Sequence, residues 1–171
     1  MAKTYTLIEA RTLSSDTASV SFTSIPATYT DLQLLTSVRI DRTGTSVNMS
    51  LDFNNNGSNY TNLALVSYGN SIDKLYSTAL SSFAYWYSPG STATADTFSN
   101  ASVYIPNYAG SNYKSVSIDS TSEYNGADTN LLILAGLWAN TAAITSMTLK
   151  NYQGSNLKSG STFYLYGIKN S

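Results

Sequence analysis

Apolar and polar residues alternate along most of this chain. Val47, Met49, Leu51 and Phe53 alternate with Ser46, Asn48, Ser50 and Asp52, the pattern of a strand with one buried face. Leu32, Leu34, Val38 and Ile40 share one parity, as do Ala101, Val103 and Ile105. Shorter pieces at Val20/Phe22, Val116/Ile118 and Phe163/Leu165 repeat the pattern. The run LLILAGLW, Leu131 to Trp138, is apolar at both parities and predicts a central strand covered on each side. Turn signals separate these pieces at Thr43-Gly44, Asn56-Gly57, Pro89-Gly90, Ala109-Gly110, Asn125-Gly126 and Gln153-Gly154. Roughly ten strands at this spacing predict an all-β fold, an antiparallel β-sandwich of jelly-roll type. Residues 71–80, SIDKLYSTAL, predict one short helical turn. With no internal repeat and no linker, residues 1–171 read as a single domain.

Composition narrows the chemistry. Charged residues make up 11% of the chain, the net charge is −1, and the nine Lys and Arg are scattered singly. No electrostatic footprint for nucleic acid or an anionic membrane follows from this. There is no Cys and no His, which removes disulfides, thiolate nucleophiles, imidazole bases and the usual zinc sites. The N-terminus MAKTYTLIEA has no apolar signal core, and the longest apolar run, Leu131 to Ala139, is too short to span a bilayer as a helix. The expectation is a chain made and kept soluble in a cytoplasm.

Three local patterns invite a chemical reading. Asp52 to Gly57, DFNNNG, fits the first half of a helix–loop–helix calcium loop, D-x-[DN]-x-[DN]-G. The twelfth position of such a loop needs a bidentate carboxylate and holds Leu63, and the residues before it alternate as a strand. Asn56-Gly57 is also a strong hairpin signal, so a strand-connecting turn that needs no metal is the better reading. Asp119 and Glu123 are the nearest approach to a carboxylate pair. A glycosidase needs two carboxyls about 5–10 Å apart across the scissile bond, and the segment DSTSEYNG reads instead as a strand end with solvated acids. Tyr85-Trp86-Tyr87 places Trp86 on one face and two tyrosines on the other. As a contact surface or glycan platform these rings would stack on sugars or line an interface. The competing reading, for Trp86 and Trp138 alike, is a core tryptophan.

The segments TSIPATYTDLQLL, DFNNNGSNY, VYIPNYAGSNYKSVSID, LAGLWANTAAITSMTL and FYLYGIKNS, in this order and spacing, resemble a family of small structural proteins in the virions of tailed phages, notably marine phages. The resemblance runs from about Tyr5 to Lys169. It implies a β-sandwich virion component without enzymatic activity or cofactor, exposed on the particle surface. Members serve as tail-fibre modules and as small surface proteins of the head. The chain begins at Met and shows no shaft, coiled coil or collagen-like repeat, which favours the head. The expectation is therefore a decoration (cement) protein, a homo-oligomer and by analogy a trimer, whose partner is the phage major capsid protein. The polar arm Ala2–Thr6 and the loop-rich end of the sandwich are its expected contacts. The alternative is a tail-fibre or baseplate module gripping a host glycan through Tyr85, Trp86 and Tyr87.

Overall fold

The structure, a computed structural model, describes residues 4–123 and 129–169, with Tyr85 described by its backbone only. The turn signal at Asn125-Gly126 lies outside the described residues. Twelve strands form among them: β1 (Tyr5–Thr12), β2 (Ser19–Phe22), β3 (Asp31–Val38), β4 (Ser46–Phe53), β5 (Tyr60–Tyr68), β6 (Ser71–Leu80), β7 (Phe83–Pro89), β8 (Ser99–Ile105), β9 (Lys114–Glu123), β10 (Thr129–Trp138), β11 (Met147–Asn151) and β12 (Thr162–Ile168). There is no helix among the described residues. The helical turn expected over 71–80 is instead the edge strand β6. Its backbone pairs with β5 from Tyr68–Ser71 to Tyr60–Leu80, and sheet hydrogen bonding overrides the weak local preference.

The strands lie in two antiparallel sheets, ordered β1-β12-β3-β8-β9-β10-β5-β6 and β2-β11-β4-β7. Without β5, β6, β9 and β10, the remaining eight strands have the order of a jelly roll, β1-β12-β3-β8 facing β2-β11-β4-β7. Two hairpins are inserted into this frame, β5–β6 between β4 and β7, and β9–β10 between β8 and β11. They pair with each other through β10 and β5 and carry the first sheet from four strands to eight.

Alternation fills the space between the sheets. Val47, Met49, Leu51 and Phe53 of β4 meet Leu32, Leu34, Val103 and Ile105, all buried. The inner face of the inserted strands is covered by β7, which packs on β5, β9 and β10. A β-bulge makes this possible. The pairing of β7 with β4 slips between Met49–Trp86 and Ser50–Ala84, leaving Tyr85 as the extra residue. The slip lets Phe83 and Trp86, an odd number of residues apart, both reach the core. Phe53, Tyr60, Phe83 and Trp138 then interlock where the jelly roll meets its extension. Phe83 stands edge-on to Tyr60 at 4.9 Å, and Trp138 edge-on to Phe53 at 5.5 Å. Gly136 interrupts the apolar run of β10 because a Cβ there would lie 2.5 Å from the Phe83 ring.

LLILAGLW is central, between β9 and β5, but only one of its faces is covered. Leu132, Leu134 and Trp138 point inwards, while Leu131, Ile133 and Leu137 are exposed. The expectation of cover on both faces is corrected here: the sandwich has two layers, and nothing among the described residues lies over the outer side of β10.

The Tyr60 hydroxyl accepts the Phe53 N–H at 2.7 Å. Tyr60→Phe therefore strands a buried amide, and the expected cost is about 1–3 kcal/mol, read as a lower midpoint in chemical denaturation with an unchanged slope. A second outcome concerns pH. Asp16 accepts from the Ser159 amide and from Lys158 Nζ, each at 2.9 Å. These contacts, the backbone amide first, hold its carboxyl below the usual 3.8. A depressed carboxylate pKa stabilises the fold above that value and loses the effect as pH falls through the folded one. Asp16→Asn should lower Tm at neutral pH, and its gap from the parent should close on acidification.

Candidate functional site

DFNNNG is a turn, placed two residues earlier than the Asn-Gly signal suggests. The Asn56 N–H donates to the Phe53 carbonyl at 2.8 Å. The central residues are Asn54 (φ 54°) and Asn55 (φ 51°), both left-handed, as a type I′ turn requires. The turn does not close a hairpin, since β4 and β5 belong to different sheets. The asparagine oxygens that a cation would use are already engaged. Asn54 Oδ1 accepts from the Thr145 and Ser146 amides at 2.9 and 3.1 Å, and Asn56 Oδ1 accepts from the Ser58 amide at 3.0 Å. Asp52 lies 3.4 Å from the Lys150 ammonium, and Leu63 sits on the outer face of β5. The loop's asparagines pin β4 to the segment before β11.

Asp119 and Glu123 are four residues apart on β9, about 13 Å at the usual strand rise, beyond the span of a glycosidase pair. Glu123 accepts the Thr94 hydroxyl at 2.7 Å, and Asp119 is exposed. The structure does not bring them together. Thr94 in turn belongs to a loop held by the buried Arg39, whose guanidinium donates to the Ala93, Thr94 and Thr97 carbonyls.

Of the expected aromatic platform, Trp86 is fully buried and unavailable to a ligand. The core reading is correct for it and for Trp138, because the bulge turns Trp86 inwards. Tyr87 is half-buried, its hydroxyl hydrogen-bonded to that of Tyr68 and the two rings edge-on at 5.4 Å. The side chain of Tyr85 lies outside the described residues.

The most conspicuous surface is one the sequence reading did not single out. On the outer face of the inserted hairpins, Leu131 and Ile133 of β10, Leu63 and Leu65 of β5, and Ile72 and Tyr76 of β6 form a continuous apolar field, with Leu137 at its margin. Ile72 is 76% exposed, Tyr76 67% and Ile133 52%. These seven residues are on average about half exposed. At roughly 200 Å² for a fully exposed large side chain, the field is on the order of 700 Å². The largest apolar patch on an ordinary monomer is about 300–600 Å². One row across the field runs Asp119, Ile133, Leu65, Lys74, with an acid at one end and a base at the other. A second, smaller group, Tyr5, Leu7, Leu35, Tyr104 and Tyr164, lies at the other end of the same sheet, beyond the polar outer residues of β9. LLILAGLW carried the signal, since a strand apolar on both faces needs two partners, but only topology shows that the second one is missing.

No protein-family model matches this chain, and no curated protein matches it in sequence.

The engaged oxygens of Asn54 and Asn56, together with the Lys150 ammonium beside Asp52, predict that excess Ca²⁺ leaves Tm unchanged relative to chelator. A saturated native-state site would raise stability by about 2.7 kcal/mol at a hundred times its dissociation constant, so a reversible calcium-dependent rise of several degrees would overturn the turn reading.

Proposed function

We propose that this protein is a structural component of a phage particle, a head decoration protein that works by associating with copies of itself and with the major capsid protein. The observation that supports the reading is the apolar field on β10, β5 and β6. Its area approaches the ~800 Å² that each partner buries in a standard interface. A second copy suits this face. Turned about a two-fold axis parallel to the strands, it would bring Ile133 and Leu65 against the same residues and set Asp119 opposite Lys74 of its mate. Neither charge has an ion partner among the described residues. The three-copy ring that the resemblance implies would need a head-to-tail contact instead, for which the open edge of β6 offers unpaired backbone groups.

Decoration then acts by mass action. A unit that binds the closed lattice and not the separated subunits shifts the equilibrium towards the lattice. Attachment at several points keeps the unit in place when one contact opens. The second reading, a tail-fibre or baseplate module, differs in position and copy number.

Purified protein should sediment as a multiple of 18.4 kDa. Lys74→Glu should weaken the assembly, and the exchange Lys74→Asp with Asp119→Lys should restore it. Antibody labelling of particles should find many copies on the head. A monomer at micromolar concentration would overturn self-association, and a few copies confined to the tail would overturn decoration.

A further inference from the structure

The sheet β2-β11-β4-β7 carries a cleft of about 530 Å³ on the side turned away from the core. Ser50 and Asp52 of β4 and Thr148 and Lys150 of β11 form its floor. Asn55, Ser82 and Tyr152 stand at its margins. The volume falls within the usual range for a small-molecule site, about 300–1,000 Å³, and apart from Gly57 every lining residue carries a polar side-chain group.

Asp52 is the unusual member. It is only 6% exposed, so its carboxylate has lost most of its hydration. Its one polar partner among the described residues is Lys150 Nζ at 3.4 Å, longer than the ~2.7–2.9 Å of a strong charged hydrogen bond. An ionised carboxylate can accept about four hydrogen bonds, and no other protein donor among the described residues is aimed at this one. Lys150 is half-exposed and brings three N–H donors to the same place. Beside them Tyr152 is 51% exposed.

We infer that this cleft binds a neutral pyranose unit of a glycan. Adjacent sugar hydroxyls each donate and accept, which suits a carboxylate and an ammonium side by side. Asp52 accepts from two neighbouring hydroxyls, Lys150 donates to one, and the C–H face of the ring stacks on Tyr152. The opposite charges of Asp52 and Lys150 cancel, which selects a neutral sugar over a uronic acid or a phosphate. An apolar ligand over Asp52 and Lys150 would leave these charged groups unpaired. A single shallow site of this kind is weak, and several copies in one assembly would bind a polysaccharide far more tightly than one. The site rests on the cleft alone and holds whether or not the apolar field joins copies.

The test is ligand-detected NMR titration of the intact protein with the methyl pyranosides of glucose, mannose, galactose and N-acetylglucosamine, with methyl glucuronide as the charged comparison. At least one neutral glycoside should bind saturably at millimolar concentration and more tightly than the glucuronide. Tyr152→Ala, a surface change that leaves the fold intact, should weaken it roughly tenfold or more, and Tyr152→Phe should retain it. Asp52→Asn should weaken it by a similar factor, as expected when hydrogen bonds to a charged group are lost. No saturable neutral ligand, tighter binding of the glucuronide, or binding that survives both Tyr152→Ala and Asp52→Asn would overturn the inference. Sedimentation of the Tyr152→Ala protein should match the parent, which separates this outcome from a failure of self-association.

Discussion

The nine-residue pairing of β10 with β5, from Asn130–Tyr68 to Trp138–Tyr60, determines the shape of this molecule. Two hairpins far apart in sequence become one four-stranded extension of the jelly roll only because these strands find each other. A lone hairpin is marginal in water, and here each supplies what the other lacks. The pairing also brings Trp138 and Tyr60 together, their rings stacked at 6.1 Å, beside Phe53 and Phe83. That aromatic joint locks the extension to β4 and β7. The bulge in β7 and the glycine at 136 both serve it, one by turning Trp86 inwards, the other by leaving room for Phe83.

The same pairing creates the imbalance from which function is proposed. An eight-stranded sheet is opposed by four strands, and the inner side of the insertion is covered by β7 together with Phe53 of β4. The outer side has no third layer among the described residues. A strand such as β10, apolar at both parities, then leaves half its side chains facing water. That apolar area, at about 25 cal/mol per Å², represents a substantial driving force for association, from which the loss of rotational and translational freedom must be subtracted. The surface that supports self-association and the polar cleft lie on different sheets, so the one can be covered while the other stays open.

Much of the fold was legible from the sequence. Period-two alternation in 32–38 and 101–105 gave strands with the correct buried faces, because burial on one side of a pleated sheet requires that period. In 46–53 the apolar parity is buried as expected, but Ser50 and Asp52 of the other parity are buried too. The absence of His and Cys excludes imidazole and thiolate chemistry from the chain. Leu63 in place of a carboxylate argued against a calcium loop, and the engaged oxygens of Asn54 and Asn56 now agree.

Contacts between residues distant in sequence decided the rest. SIDKLYSTAL has no strong local preference, and it became an edge strand only because β5 offered a row of backbone partners. For Trp86 the sequence left platform and core both open, and the inserted residue in β7 decided for the core by bringing Phe83 and Trp86 to the same side. The Asn54-Asn55 turn was displaced from Asn56-Gly57 because Thr145 and Ser146 hold the Asn54 side chain. Asp52 and Lys150 share a cleft although 98 positions separate them, which the β4–β11 register alone arranges. The sequence by itself determined which residues prefer burial and at what period. Which faces found a partner was decided by sheet order, because backbone pairing is satisfied only between strands that the whole chain brings side by side.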